Sequence, residues 1–401
     1  VICPFLKNNF EEKDKSHPHI SYESGENMKN KVRGALIGAA LGDAWGAPVE
    51  KLSPQQIKEL YGVIDSLDFE HYRTKSLTSG KGYGRVTDDT LMTMFLCDIY
   101  TEQLKHLDAY SIFSLVKKIY FSEIWVPEYQ KEMPLIERLF YPEKYIFLSN
   151  YLAARDPRSG GVGNMVNCGA AMYVTPIGIV NACDPQGAYN EAIAFAAAHQ
   201  TSYGLEAAGV FAACVAEAFS PDATVNSIIN TALKLAKDGT RMAIEDIINT
   251  AHKLTDRENS PDIFHKVLAK YSPMGDNLYR DPDEVGKPTE NYTPSRLKSI
   301  EELPIALGYI VLNDGKLEKA LIEGVNSGRD TDSIGVMIGA ICGGLNGVEG
   351  IQEKHIEKLK QANQYDFVKV SDRFYETVCK IHEIDEKNIK ALIKKRSQLR
   401  G

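Results

Sequence analysis

Apolar residues return at helical spacing along most of the chain, and alternating strand-like runs are scarce. From Lys31 onward, Val32, Leu36, Ala39, Ala40 and Leu41 mark one helix in which Gly34, Gly38, Gly42 and Gly46 share a face. Glycine costs a helix interior roughly 1 kcal/mol relative to alanine. Four in register therefore point to a bare stripe where another helix or a ligand comes close. Gly335, Gly339, Gly343 and Gly347 repeat the spacing far downstream.

Between these stripes the pattern predicts more helices. Thr87 is an N-cap for one running through Leu91, Met94, Phe95 and Ile99. Helical runs follow near 107–121 and 127–153, then a glycine-rich loop, Gly160-Gly161-Val162-Gly163-Asn164. Asp184-Pro185 opens a long alanine-rich helix expected to contain His199, and Gly204, Ala208, Ala212 and Ala216 line the next. Further helices are expected at 223–237, 243–254, 300–312 and 315–326. Residues 66–86 read as a loop, and 271–298, with four prolines, as a long ordered one. The fold expected is all-α: one helical domain at 29–351, a polar extension at 1–28, and a charged helical extension at 352–401 packed outside it.

Composition narrows the function. The chain has 401 residues, 43% hydrophobic and 25% charged, as in ordinary globular proteins. A net charge of −8 disfavours nucleic acid, whose phosphates call for a basic surface. Seven scattered cysteines without a Cys-x-x-Cys pair read as buried thiols in a reducing compartment. No uncharged apolar run approaches the ~18 residues a membrane span needs, and no export segment is visible. A cytoplasmic monomer, bound to neither membrane nor nucleic acid, is the expectation.

Two short segments carry the candidate chemistry. Thr87-Asp88-Asp89 and Asp330-Thr331-Asp332-Ser333 each set two carboxylates and hydroxyl groups at a helix start. Capping accounts for either one alone. Together they offer more oxygen ligands than capping requires, in the chemistry that Mg²⁺ and Mn²⁺ prefer. Both readings stand on residue types. His199, on an apolar run, reads as a core histidine. Gly160–Gly169 lacks the dinucleotide fingerprint, and no phosphate-binding Walker pattern or serine elbow is present.

The blocks Gly34-Ala35-Leu36-Ile37-Gly38, Leu41-Gly42-Asp43-Ala44-Trp45-Gly46-Ala47-Pro48-Val49-Glu50, Thr87-Asp88-Asp89-Thr90, Asn167-Cys168-Gly169-Ala170-Ala171-Met172, His199 and Gly328–Ser333 stand in an order that resembles the ADP-ribosylglycohydrolase family. The likeness runs from about Lys31 to about Gly350. It implies a compact orthogonal helical bundle with two divalent cations, Mg²⁺ or Mn²⁺, at the base of a cleft. By motif match the metal ligands are Thr87, Asp88, Asp89, Asp330, Asp332 and Ser333. Asp88, Asp89, Asp332 and the flap residue Glu50 become catalytic. Asp43, Glu50, Gly163, Asn164, Asn167, Gly169, His199 and Arg329 line the substrate cleft. The implied reaction hydrolyses the N- or O-glycosidic bond at the anomeric ribose carbon of an ADP-ribosylated acceptor or small conjugate. The competing expectations are a nucleoside glycosidase on the same fold and a non-catalytic relative. Arg329 replaces a commonly small residue, Asn167-Cys168-Gly169 a more frequent Gly-Asn-Gly, and Tyr173 a common arginine, so departures gather where substrate is gripped.

Overall fold

The computed structural model describes residues 22–72, 82–126, 130–139, 141–164, 168–271 and 296–400. Helices α1 Tyr22–Gly46, α2 Pro54–Tyr61, α3 Asp88–Gln103 and α4 Ile112–Phe121 come first. A hairpin of β1 Glu123–Val126 and β2 Lys131–Pro134 follows, and then α5 Tyr141–Ala153, α6 Thr175–Val180, α7 Pro185–Ala196 and α8 Ser202–Ala218. The chain continues through α9 Val225–Leu235, α10 Asp238–Lys253, α11 Ser260–Leu268, α12 Arg296–Leu312, α13 Leu317–Val325, α14 Thr331–Asn346, α15 Glu353–Asn363 and α16 Phe367–Gln398. The fold is all-α, with that antiparallel hairpin as its one sheet among the described residues.

Its spine is the antiparallel pair α1 and α14, joined along the two glycine stripes. A Cβ on Gly34 would lie 2.2 Å from the Gly343 carbonyl oxygen, one on Gly38 2.3 Å from that of Gly339, and one on Gly42 1.9 Å from that of Gly335. Only hydrogen fits, so backbone meets backbone. At the end of the stripe Gly46 abuts Thr331, whose hydroxyl donates to the Gly46 carbonyl at 2.8 Å. The C-terminus of α1 is thereby held against the N-terminus of α14. Helices α8 and α14 are buried on nearly every side, as a helix apolar all round must be.

Two expectations need correction. The helix predicted over 127–153 is confined to α5, and its first part is β2 of the hairpin, with Ile124 opposite Met133. Ile124, Trp125 and Val126 favour a strand, and Pro127 and Pro134 oppose a continuous helix across the segment. His199 is not in the alanine-rich helix, which ends at Ala196. The carbonyls that would extend it are taken by side contacts: Gly161 N–H donates to Ala197, Asn150 Nδ2 to Ala198, and Asn164 Nδ2 to His199.

Other boundaries move by a few residues. Helix α1 begins at Tyr22, within the segment read as an extension, and α10 begins at Asp238. Most of the predicted 271–298 loop, and residues 1–21, lie outside the described residues. Helix α16 buries Phe367, Phe374, Val378 and Ile381, while Asp372 receives a bidentate pair from Arg33 of α1 at 2.6 and 2.8 Å. No described helix is long and apolar enough to cross a membrane.

Candidate functional site

The two acidic segments meet where α1 ends and where α3 and α14 begin. Thr87 is the N-cap of α3, its hydroxyl accepting from the Asp89 amide at 3.2 Å. Asp43, fully buried on α1, reinforces that start: its carboxylate accepts from the amides of Thr87 at 2.9 and 3.0 Å and of Thr90 at 3.1 Å. Capping of α3 is therefore done by Thr87 and Asp43. At α14 the cap position is Asp330, which makes no side-chain cap bond. The capping explanation fails where it was most needed. Asp89 and Asp330 add carboxylate oxygens beside two positive helix ends, beyond the groups that cap them.

These donors converge. Ser333 Oγ donates to Asp89 Oδ1 at 3.0 Å, and Thr87 Oγ1 to Asp89 Oδ2 at 2.9 Å. Glu50, Asp330 and Asp332 each offer an oxygen within 4.8 Å of the others. Burial, then the neighbouring charges of Asp43, Asp88 and Asp330, pushes the Asp89 carboxyl well above the usual carboxylate range. Burial and the charges of Glu50, Asp89 and Asp330 do the same to Asp332. Carboxylates crowded in low dielectric repel one another, and a divalent cation relieves that repulsion. The all-oxygen set of carboxylates and hydroxyls fits a hard cation.

The family profile for ADP-ribosylglycohydrolase matches residues 24–383. The chain belongs to the ADP-ribosylglycohydrolase family. That match enters α16, well past the span carried by the motifs. Family membership supports a glycohydrolase-type, hydrolytic function. Uncharacterized protein YegU of Escherichia coli strain K12 is 26% identical over 344 residues, covering 84% of this chain and 94% of its own. An uncharacterized protein of Archaeoglobus fulgidus is 26% identical over 341 residues, 83% and 92% of the two chains. A solved chain of an ADP-ribosylglycohydrolase-related protein complex shares the fold, with TM-score 0.58 and 16% identity over 88% of this chain and 99% of that one.

Not every residue matched to the family motifs falls at this centre. His199 is fully buried, its Nδ1 3.1 Å from the Tyr173 hydroxyl and its ring 4.7 Å from that of Phe147. Asn164 is turned to the His199 carbonyl at 3.0 Å, and Gly163, at φ +98°, stands in open space. His199 lies in the turn beyond α7, and Asn164 braces that turn from the glycine-rich loop. Gln200, next to His199, accepts from the Ala170 amide at 2.9 Å and so links this turn to the segment that carries Cys168. Gly169 is buried in the same connection, and Asn167 lies outside the described residues. Arg329 points its guanidinium at Glu301 on α12, 2.7 Å away.

Two groups at the centre, Glu302 and Lys51, escaped sequence reasoning, and Cys168, read there as a departure from the family motif, joins them. Glu302 is 1% exposed and forms, with Cys168 and Asp330, a second cluster of potential ligands. The adjacent acids Glu301-Glu302 at the head of an apolar helix were the available signal. The Cys168 thiol donates to Asp330 at 3.4 Å, and burial with the charges of Asp330 and Glu302 raises its pKa and keeps it protonated. Lys51 meets Glu50 Oε1 at 2.9 Å. Burial opposes its charge, yet Glu50, Asp332 and Asp330 hold its pKa above that of an ordinary lysine.

Proposed function

We propose that this protein is a divalent-metal-dependent glycohydrolase cleaving the N- or O-glycosidic bond at the anomeric ribose carbon of an ADP-ribosylated acceptor or a small ADP-ribosyl conjugate. The observation that carries the reading is the meeting of the α3 and α14 starts, with Asp89 bonded to Ser333 and Asp332 crowded by Glu50 and Asp330.

Thr87, Asp88, Asp89, Asp330, Asp332 and Ser333 are the residues that would hold Mg²⁺ or Mn²⁺, and Glu50, whose carboxylate gathers with those of Asp330 and Asp332, would join them until substrate arrives. Bound there, the ions supply Lewis acidity for water activation and anchorage for ribose hydroxyls. The chain's own groups do the rest. Asp89 or Asp332 accepts a hydrogen bond from the attacking water and aims it at the anomeric carbon. Glu50, with its side chain 16% exposed, is the acid at the mouth of the centre and manages the proton of the leaving group. The surrounding carboxylates favour the positive charge that gathers on the ribose ring as the bond breaks. Asp43 fixes the Thr87–Asp89 segment from behind, and the glycine-stripe contact fixes Asp330–Ser333 against it. Rigid support of this kind gives such a centre its precision. The net charge of −8 keeps nucleic acid out of the reading.

The test is a parallel assay of ADP-ribosyl-arginine, ADP-ribosyl-serine and free nucleosides with metal-stripped protein, then with Mg²⁺ or Mn²⁺ added. Release of ADP-ribose only when metal is restored is the expected result. Cleavage of nucleosides alone would move the substrate to simpler ribosides. No turnover by metal-loaded protein across the whole panel would overturn the proposal.

A further inference from the structure

The acidic centre already contains a cation of its own. Lys51 is the residue after Glu50, and its ammonium lies 2.9 Å from Glu50 Oε1. Glu50 is also one of the three carboxylates, with Asp330 and Asp332, whose oxygens gather within 4.8 Å.

The backbone makes this placement specific. Lys51 sits at φ +74°, a left-handed conformation that L-residues seldom adopt. It is held there from both sides. The Lys51 amide donates to the Arg329 carbonyl at 2.6 Å, and the Arg329 amide returns a bond to the Leu52 carbonyl at 2.7 Å. Arg329 is itself left-handed at φ +69°. The Tyr72 hydroxyl donates to the Glu50 carbonyl at 3.0 Å. Gly328 completes the junction, since a Cβ there would lie 2.7 Å from the Leu52 carbonyl oxygen. The turn carrying Glu50 and Lys51 is thus pinned to the segment that carries Asp330.

We propose that the Lys51 ammonium is a built-in competitor for divalent cation: it holds Glu50 by an ion pair that a metal ion must displace before Glu50 can join Asp330 and Asp332. The two cations seek the same carboxylate, and a lysine tethered next to it is always present. Metal occupancy and release of Glu50 are then one coupled event. The chain's affinity for Mg²⁺ or Mn²⁺ is set lower than its ligands alone would give.

The inference rests on the metal-dependent reading above, and calorimetry separates the two. Mn²⁺ is titrated into metal-stripped wild type, Lys51→Met and Lys51→Gln, with circular dichroism and thermal unfolding of the metal-free proteins as the folding control. Both variants are expected to bind Mn²⁺ about tenfold more tightly, or better, because Glu50 no longer has to be drawn out of its ion pair with Lys51. The gain should vanish when Glu50→Gln is added to either variant, since the contested ligand is gone. The glutamine variant, which keeps a donor for Glu50 without the charge, covers the case in which the methionine variant does not fold. Equal or weaker binding by the folded variant overturns the competition. A gain that survives Glu50→Gln overturns it too. Tight Mn²⁺ binding without turnover of any ADP-ribosyl compound sinks the glycohydrolase reading and leaves this one standing.

Discussion

The hydroxyl of Ser333 donates to the carboxylate of Asp89 at 3.0 Å, tying together the first turns of two helices whose bonded residues are 244 positions apart in sequence. Neither helix needs this bond for its own cap. It joins the two halves of the proposed ligand set, and Ser333→Ala tests that. The variant is expected to lose about tenfold in Mn²⁺ affinity by calorimetry, in line with a hydrogen bond to a charged group plus one lost ligand. Its metal-free unfolding temperature should stay within a few degrees of wild type. An unchanged affinity would remove Ser333 from the ligand set.

The glycine stripe makes a sharper structural prediction. Alanine at Gly38 would place its Cβ 2.3 Å from the Gly339 carbonyl oxygen, and backbone cannot step aside as a side chain can. The gain in helix propensity is at most about 1 kcal/mol. Overpacking typically costs about 1–3 kcal/mol and more when backbones must part. Gly38→Ala is therefore expected to destabilise by about 2 kcal/mol in urea unfolding. Gly350→Ala, whose nearest neighbour would be Asn346 at 3.5 Å, serves as the control and should be close to neutral.

That stripe was readable from sequence, because four glycines at helical spacing in each of two helices have few other uses. The N-cap at Thr87 was readable for the same reason, its chemistry being local. The hairpin at β1 and β2 was not. Its Ile124, Trp125 and Val126 are too short a run to stand out from the helical pattern on either side. His199 is expected in a helix that ends before it, where tertiary bonds take the carbonyls of Ala198 and His199. Lys51 and Glu302 could not have been found by motif. Lys51 comes to the centre through a left-handed backbone pinned by Arg329, and Glu302 through the packing of α12 beside Cys168.

Arg329 stands where the resemblance commonly has a small residue. Its guanidinium pairs with Glu301 at 2.7 Å, with side chains 10% and 3% exposed. Arg329→Gly relieves the left-handed strain at φ +69°, worth about 1 kcal/mol. It also leaves Glu301 without that partner in a buried position, a loss of about 3–5 kcal/mol. The net expectation is destabilisation by about 2–4 kcal/mol, largely reversed by adding Glu301→Gln. Additive effects in the double-mutant cycle would show that the pair does not couple.

His106 links α16 to the body of the protein. Its Nδ1 meets Glu191 at 2.5 Å and its Nε2 meets Asp385 at 2.9 Å. The hydrogen bond to Glu191, against the opposing effect of burial and with help from Asp385, raises its pKa to about 9. A histidine whose folded pKa exceeds its unfolded value of about 6.5 stabilises fully below that value, and the contribution fades as pH rises through about 9. The ring is 40% exposed, so screening reduces the effect to about 1 kcal/mol. His106→Gln should lower the unfolding temperature by a few degrees at pH 6 and leave it unchanged near pH 10. A constant deficit across that range would mean that packing, and not charge, is what the ring contributes.

Asp332 is where stability and function pull in opposite directions. Its carboxyl is 4% exposed, and burial together with Glu50, Asp89 and Asp330 raises its pKa. Without metal, the Asp332 charge is a burden on the fold. Asp332→Asn keeps the shape and removes the charge, so the metal-free variant should unfold at the same temperature as wild type or higher near pH 8. On the proposed mechanism the same change deletes a ligand and the acceptor for the attacking water. Turnover of the best ADP-ribosyl substrate is expected to fall at least about 100-fold, and the Mn²⁺-induced rise in unfolding temperature should shrink or vanish. EDTA treatment of wild type should produce the same loss of turnover, restored by Mn²⁺ in wild type and not in the variant. Undiminished turnover by Asp332→Asn would remove this carboxylate from the reaction, and a large loss of metal-free stability would mean that its role is to hold the α14 start together.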